Sequence, residues 1–159
     1  MAGVLSRNPH WKEPLEPFRL EGAWNARDWH TVEDIVSSSQ SQSPELSTGK
    51  LLLALKSRDN DKIANALALA RSEFGLPIGA AGYQSYRRTY DASVNLHLVE
   101  ELAMISRFVV NPPQGEKDCQ TDTIPHLSAT LDHRYNSVLP SYRTLEPILS
   151  LRRTIFDLL

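Results

Sequence analysis

The sequence is poor in the residues and patterns that mark several large classes of protein. It holds one cysteine, Cys119, in 159 residues, so an internal disulfide is impossible and the composition suits a reducing intracellular compartment. Its longest uninterrupted apolar runs are five residues, Leu51–Leu55 and Ala66–Ala70, and its first residues lack the apolar core of a signal peptide. We therefore expect neither secretion nor a segment that spans a membrane.

The sequence also has no large excess of positive or of negative residues. Lys and Arg total 17 against 19 Asp and Glu, which gives a net charge of −2 and no electrostatic basis for binding DNA, RNA or an anionic membrane. His126 and His133 lie two helical turns apart, but zinc ligands on a helix are usually three or four residues apart and no third ligand is evident. We expect no metal and no other cofactor.

Motifs of catalytic sites are equally scarce. The run GLPIGAAG at 75–82 contains three glycines, but no strand precedes it and no Lys-Ser/Thr follows, so it does not fit a nucleotide-binding loop. Cys119 has no basic neighbour in its proline-rich segment to activate a thiolate. The sequence contains no serine-hydrolase elbow, zinc-protease motif or kinase catalytic loop. We expect no catalysis by this chain itself.

What the sequence does contain is helical periodicity, together with an ordinary globular share of 41% hydrophobic and 23% charged residues. A short amphipathic helix is predicted after Pro14 and Pro17, with Phe18, Leu20, Ala23 and Trp24 as its apolar residues. Asp28 is placed to cap a second helix that begins at Trp29. We predict a helical hairpin in which Trp24 and Trp29 meet at the turn.

The same periodicity predicts two more helical pairs, separated by one long helix. The predicted helices run from Leu46 to Leu55, from Ile63 to a stop at Gly75, from about Gly79 to Val110, from His126 to Val138, and from Ser141 to Leu159. Low apolar content at 37–44 and several prolines at 111–125 predict flexible loops.

Successive helical pairs with no strand-like alternation predict an all-α fold of antiparallel hairpins, stacked as a tetratricopeptide-like α-solenoid, with a closed bundle as the alternative. Residues 14–159 form this repeat domain in the prediction, and residues 1–13 an extension. Because the last predicted helix is apolar over most of its circumference, we expect it to be covered by further sequence.

Four strings of the sequence resemble the FAT domain of ATR-type kinases, the DNA-damage checkpoint branch of the phosphatidylinositol-3-kinase-related family. The strings are GAWNARDWHTVEDIV at 22–36, GKLLLALKSRD at 49–59, ARSEFGLPIGAAGYQSYRRTYDASVNLHLVEELAMI at 70–105 and YRTLEPILSLRR at 142–153. They occur in the order found in the family and cover about two thirds of the chain. The spacing Y-x-x-x-Y-x-x-x-V-x-L-H-x-x-x-E-L and the ending EPILSLRR are the most specific parts.

The resemblance implies a nuclear, non-catalytic scaffold segment that supports the kinase domain of a longer chain and contacts protein partners and a dimer mate. A free-standing helical-repeat adaptor that binds a peptide or a partner helix is the alternative. The family's preference for Ser or Thr followed by Gln further implies Ser39 and Ser41, in the run SSSQSQSP, as candidate phosphorylation sites. We expect a phosphate there to order the segment locally or to act as a docking mark; chance occurrence of Ser-Gln in a Ser/Gln-rich run is the alternative.

Overall fold

The structure is a computed structural model, and it describes residues 9–39, 43–80, 85–110 and 124–158. In these ranges the chain forms only helices, which confirms the all-α prediction. A short 3-10 helix, Pro9–Trp11, precedes seven α-helices: α1 (Lys12–Asn25), α2 (Trp29–Ser38), α3 (Pro44–Ser57), α4 (Asn60–Ala80), α5 (Tyr86–Val110), α6 (Ile124–Asn136) and α7 (Tyr142–Phe156).

The first hairpin, α1 and α2, has the cap that the sequence predicts. The Asp28 side chain accepts hydrogen bonds from the backbone N–H of Thr31 at 3.2 Å and from its hydroxyl at 2.7 Å. Arg27, just before it, adopts a left-handed conformation with φ of 61°. This residue reverses the chain direction, so that α2 packs back against α1.

The start of α1 differs from the prediction, because both prolines lie inside the helix. α1 begins at Lys12, which places Pro14 in the first turn, where an N–H has no partner within the helix in any case. Pro17 follows inside the helix and removes one hydrogen bond. Burial of Leu20, Ala23 and Trp24 on the next turns keeps the helix intact across that gap.

The second hairpin, α3 and α4, turns at Arg58 and Asp59. Arg58 adopts a left-handed conformation with φ of 53°, and Asp59 Oδ1 accepts from the backbone N–H groups of Asp61 and Lys62 at 3.0 and 3.3 Å. The predicted stop at Gly75 is wrong, because α4 continues to Ala80. Gly75 is not in the left-handed conformation that a helix-ending glycine adopts.

The long helix predicted from Gly79 to Val110 is shorter in the structure. Gly79 belongs to the last turn of α4, and α5 begins only at Tyr86; residues 81–84 lie outside the described ranges. α7 begins after Ser141, whose hydroxyl accepts from the backbone N–H of Thr144 at 3.3 Å. Of the two predicted loops, residues 40–42 and 111–123 are outside the described ranges.

Helices that follow one another in the sequence pack against one another from α1 to α6, as expected for stacked hairpins. α7 contacts α5 and also returns to α1, so the last helix lies beside the first. α3 approaches α1 and α2 closely at Gly49, where a Cβ atom would lie 3.2 Å from Leu20 and 3.3 Å from Val36. In the described part of the chain, no helix combines the length and apolar character needed to cross a membrane.

Candidate functional site

The most buried charge in the described ranges is Glu101, near the middle of α5. Its side chain is 3% exposed, and both carboxylate oxygens bind Arg152 of α7. Arg152 Nε lies 2.7 Å from Oε2, and Arg152 Nη2 lies 2.7 Å from Oε1. This two-bond arrangement between a guanidinium and a carboxylate is the strongest form of ion pair in proteins and also fixes the relative orientation of the two side chains.

Two further side chains complete what we call the Glu101 cluster: Glu101, Arg152, His97 and Arg134. His97, one turn before Glu101 on α5, places Nε2 2.9 Å from Oε1. Arg134 of α6 has its Nε 3.7 Å from the same oxygen. Because a carboxylate only accepts hydrogen bonds, Nε2 of His97 carries a proton and donates it.

Backbone carbonyls extend the Glu101 cluster and tie the three helices together. Arg152 Nη2 donates to the carbonyl of Leu131 in α6 at 2.8 Å, and Arg134 Nη2 donates to the carbonyl of His97 in α5 at 3.2 Å. Each arginine therefore bridges from its own helix to a neighbouring one. The cluster joins α6 and α7 to the long helix α5 and fixes how each of these two helices packs against it.

Burial and the charges of the cluster together lower the pKa of its histidine. Burial is the largest cause that lowers the pKa of His97 below its ordinary value, and the nearby Arg134 lowers it further, while Glu101 opposes both. One carboxylate already faces two guanidinium groups, so a third positive charge is unfavourable. His97 is thus a neutral donor near pH 7, and Glu101 has both oxygens engaged, an arrangement that suits a rigid joint.

The two tryptophans predicted to form the first hairpin lie in different environments. Trp24 is buried in the core, whereas Trp29 is only partly buried and packs against the core from its edge. Lys56 of α3 places its ammonium 5.6 Å from the centre of the Trp29 ring and also pairs with Glu33 at 3.2 Å. Trp29 therefore links α2 to α3 at the surface.

Ser39, one of the two candidate phosphorylation sites, is at the C-terminal end of α2. Its backbone N–H donates to the carbonyl of Ile35 at 2.9 Å, and its hydroxyl donates to Glu16 of α1 at 2.9 Å. Ser41 lies outside the described residues. His126 and His133 are both exposed on α6, and the described residues contain no group of three or more side chains that could hold a metal ion.

A second notable surface is the outer face of α7, which turns away from the core. Tyr142, Leu149 and Phe156 are 83%, 48% and 49% exposed. A groove of about 530 Å³ borders this face and is closed on its other side by Asn25 and Arg27, at the turn between α1 and α2. α7 is thus apolar both toward the core and toward the outside, as predicted from its sequence.

The Glu101 cluster was not predicted from the sequence, although a signal for it was present. Glu101 is a charged residue directly before the buried Leu102 and one turn before the buried Ile105, with a histidine four residues earlier. The two strings that carry the resemblance most specifically, V-x-L-H-x-x-x-E-L and EPILSLRR, contain His97, Glu101 and Arg152. The structure brings these two separate strings into direct contact.

Helical hairpins joined by a buried ion-pair cluster define a helical-repeat segment. The family model of the FAT domain matches residues 16–159, and the chain belongs to this family.

Curated relatives support the same assignment. The chain is similar to the serine/threonine-protein kinases ATR of Arabidopsis thaliana and of Oryza sativa subsp. indica, at 26% identity over 97% and 98% of the chain. It is also similar to the serine/threonine-protein kinase TOR2 of Saccharomyces cerevisiae, at 25% identity over 69% of the chain and 4% of the relative. The chain spans only about 6% of the length of the two ATR relatives. No solved structure has significant similarity to it.

Proposed function

We propose that this chain is a non-catalytic scaffold segment of an ATR-type DNA-damage checkpoint kinase in the nucleus. In this role it supports the kinase domain of the parent chain and contacts protein partners, including a dimer mate. The observation that carries the proposal is the ion pair between Glu101 and Arg152, which are 51 residues apart in sequence. These residues belong to the two strings that resemble the family most specifically. A buried pair of this kind holds helices in one relative orientation, as a scaffold requires.

The test uses the endogenous protein, captured with an antibody raised against residues 1–159. We expect the captured protein to phosphorylate a Ser-Gln peptide. Glu101→Gln introduced into the gene should reduce that activity per molecule, because α6 and α7 lose their attachment to α5. Glu100→Gln is the matched control, since Glu100 is the adjacent carboxylate of the same helix but pairs with Arg71 at the surface.

Two outcomes would contradict the scaffold proposal. Captured protein without kinase activity above that of a control serum would favour the free-standing adaptor instead. Equal activity per molecule of the Glu101→Gln and Glu100→Gln proteins would show that the joint is not needed to support a kinase.

The scaffold proposal includes phosphorylation of Ser39 and Ser41 by the parent kinase or a relative. The environment of Ser39 changes the effect that we expect. A phosphate adds about −1.5 to −2 charges, and at Ser39 it would stand beside the Glu16 carboxylate and at the unfavourable end of the α2 dipole. Phosphorylation of Ser39 should therefore detach the C-terminal end of α2 from α1.

Mass spectrometry after incubation with an active ATR-type kinase tests both serines. Unmodified Ser39 and Ser41, under conditions that fully label a control Ser-Gln peptide, would rule out the modification. If Ser39 is modified, amide exchange at 35–39 should become faster. Unchanged exchange would contradict the predicted detachment.

A further inference from the structure

A cavity of about 310 Å³ lies where the start of α3 meets α4 and α5, and none of its described lining residues belongs to α7. Leu76 of α4, which is 69% exposed, borders its mouth. The remaining apolar walls are formed by Pro44, Phe74, Pro77 and Ala92. A cavity of this size is at the small end of ligand sites in proteins, so it suits a single long side chain better than a large cofactor.

The charged group among the described residues of this cavity is the carboxylate of Glu73 on α4. Its Oε2 accepts a hydrogen bond from the hydroxyl of Ser47 on α3. Ser47 is buried, so this bond holds the carboxylate from the core side. The second oxygen, Oε1, has no hydrogen-bond or ion-pair partner among the described residues. A carboxylate without a counter-charge, beside apolar walls, favours a ligand with a positive charge and an apolar stem.

A second acceptor lines the same cavity from a different helix. Asn95 of α5 has a side-chain amide without a hydrogen-bond partner among the described residues, so its oxygen is available to a ligand. A guanidinium group is planar and carries five N–H donors, so it can reach acceptors on two helices at once, whereas an ammonium is a compact point charge. A guanidinium is also more weakly hydrated than an ammonium, so it enters an apolar cavity at a lower cost. These properties favour arginine over lysine.

The start of α3 does not reverse this preference. A helix N-terminus carries a partial positive charge, which disfavours a cation. Here the Ser43 hydroxyl already accepts from the backbone N–H of Leu46, and Glu45 lies in the first turn of the helix. The negative charge of Glu45 offsets the partial charge of the helix end, so Glu73 determines the sign of the ligand.

We propose that this cavity binds an arginine side chain presented by a partner protein. The apolar stem of the arginine packs against Phe74 and Pro77, and its guanidinium group donates to Oε1 of Glu73 and to the amide oxygen of Asn95. The proposal rests on the partner-contacting role given above and names the surface and the residue type that it recognises. One side chain in one cavity binds weakly, so the arginine adds specificity to a larger contact.

Titration of the isotope-labelled, full 159-residue chain with capped arginine, followed by NMR, tests the recognition. The probe is arginine with an acetylated amino group and a methylamide in place of its carboxylate. We expect saturable shifts of the backbone amides of Phe74 and Ala92. Capped citrulline, which has nearly the same shape without the charge, and capped lysine should each bind at least several-fold more weakly. Shifts that do not saturate, or citrulline or lysine binding as tightly as arginine, would overturn the proposal.

Two conservative changes test the residues of the cavity in the same titration. Glu73→Gln should weaken the binding of capped arginine at least several-fold and still fold, because its amide oxygen can accept from Ser47. Glu13→Gln is the matched control, since Glu13 is an exposed glutamate of α1, away from the cavity. Asn95→Asp should bind capped arginine more tightly than the unchanged chain, because it adds a second carboxylate. Equal affinities of the Glu73→Gln and Glu13→Gln chains, or no gain in Asn95→Asp, would overturn the proposal.

A photo-cross-link identifies the source of the arginine. The photoreactive residue p-benzoylphenylalanine, placed at Leu76 of the endogenous protein, should cross-link on irradiation to an arginine-containing peptide of a different polypeptide, and Glu73→Gln should abolish this product. No cross-link, a cross-link only within the same polypeptide, or a product that persists in Glu73→Gln would overturn the proposal. These results are independent of the kinase assay, so an active kinase whose cavity does not bind arginine would overturn this proposal and leave the scaffold role intact.

Discussion

Replacing Glu101 with glutamine is the sharpest perturbation of the fold. The substitution keeps the size of the side chain but removes the one carboxylate of the Glu101 cluster. Arg152 then loses the charge that its guanidinium binds through two bonds of 2.7 Å, and Arg134 loses the carboxylate oxygen that lies 3.7 Å from its Nε. In the glutamine, an NH₂ group replaces one of the two carboxylate oxygens, so its hydrogens face the N–H donors of Arg152 or His97 instead of accepting from them.

The burial of the pair sets the expected size of the effect. The side chains of Glu101 and Arg152 are 3% and 12% exposed. Removing one partner of a buried ion pair costs about 3–5 kcal/mol, since the other charge stays buried without compensation. The whole free energy of unfolding of a typical domain is about 5–15 kcal/mol, so Glu101→Gln should lower stability by a large fraction.

Glu100→Gln is the matched control. Glu100 precedes Glu101 on α5 and pairs with Arg71 at 2.7 Å, with side chains 46% and 45% exposed. An exposed pair contributes about 0.2–1 kcal/mol, because water and salt screen it. Urea unfolding followed by circular dichroism at the helix band should therefore show a large shift of the midpoint for Glu101→Gln and a small one for Glu100→Gln.

A double-mutant cycle separates the pair from general damage to the core. Glu101→Gln combined with Arg152→Gln should destabilise the protein by clearly less than the sum of the two single changes. Additive losses, or a Glu101→Gln midpoint equal to that of Glu100→Gln, would refute the account of the cluster as a joint.

Three further changes follow from the packing and ionisation of other residues. Trp24→Ala should lower the free energy of unfolding by about 3–5 kcal/mol and Trp29→Ala by clearly less, because only the first indole is buried; equal urea midpoints would contradict this. Gly49→Val should cost about 1–3 kcal/mol, because even a Cβ would lie 3.2 Å from Leu20, and an unchanged midpoint would show that the helices can separate freely. Burial holds the pKa of His97 below its ordinary 6.5, so the unfolded chain takes up the proton first and stability should fall as the pH drops below that value. His97→Gln should reduce this loss between about pH 7.5 and about pH 5.5, and an identical loss would contradict it.

Local signals in the sequence were sufficient to predict the helices and the positions of several helix ends. The cap at Asp28, the turn at Arg58 and the start of α7 at Ser141 each depend on residues within three or four positions of one another, so they are visible in the sequence. The helix ends predicted from prolines and glycines were wrong where tertiary packing determines how far a helix continues. Pro17 and Gly75 lie inside helices, because burial of neighbouring turns offsets a lost hydrogen bond or a flexible residue.

The functional surfaces depend on contacts between distant parts of the chain, which periodicity does not reveal. Arg152 appears on α7 as one of two adjacent arginines, and only the fold shows that it points at Glu101 while Arg153 lines the outer groove. Trp29 was predicted to lie beside Trp24 at the turn, and its contact with Lys56, 27 residues away, was not predicted. The resemblance to the FAT domain identified the strings that matter without showing that they touch.

The size of the endogenous polypeptide tests the scaffold account most directly. An immunoblot with an antibody against residues 1–159 should detect a polypeptide many times larger than the 17.9 kDa of this chain, because the ATR relatives contain the matched segment as about 6% of their length. Peptides from that band should include a kinase domain. A single band near 17.9 kDa would contradict the account and identify the chain as a free-standing helical-repeat protein.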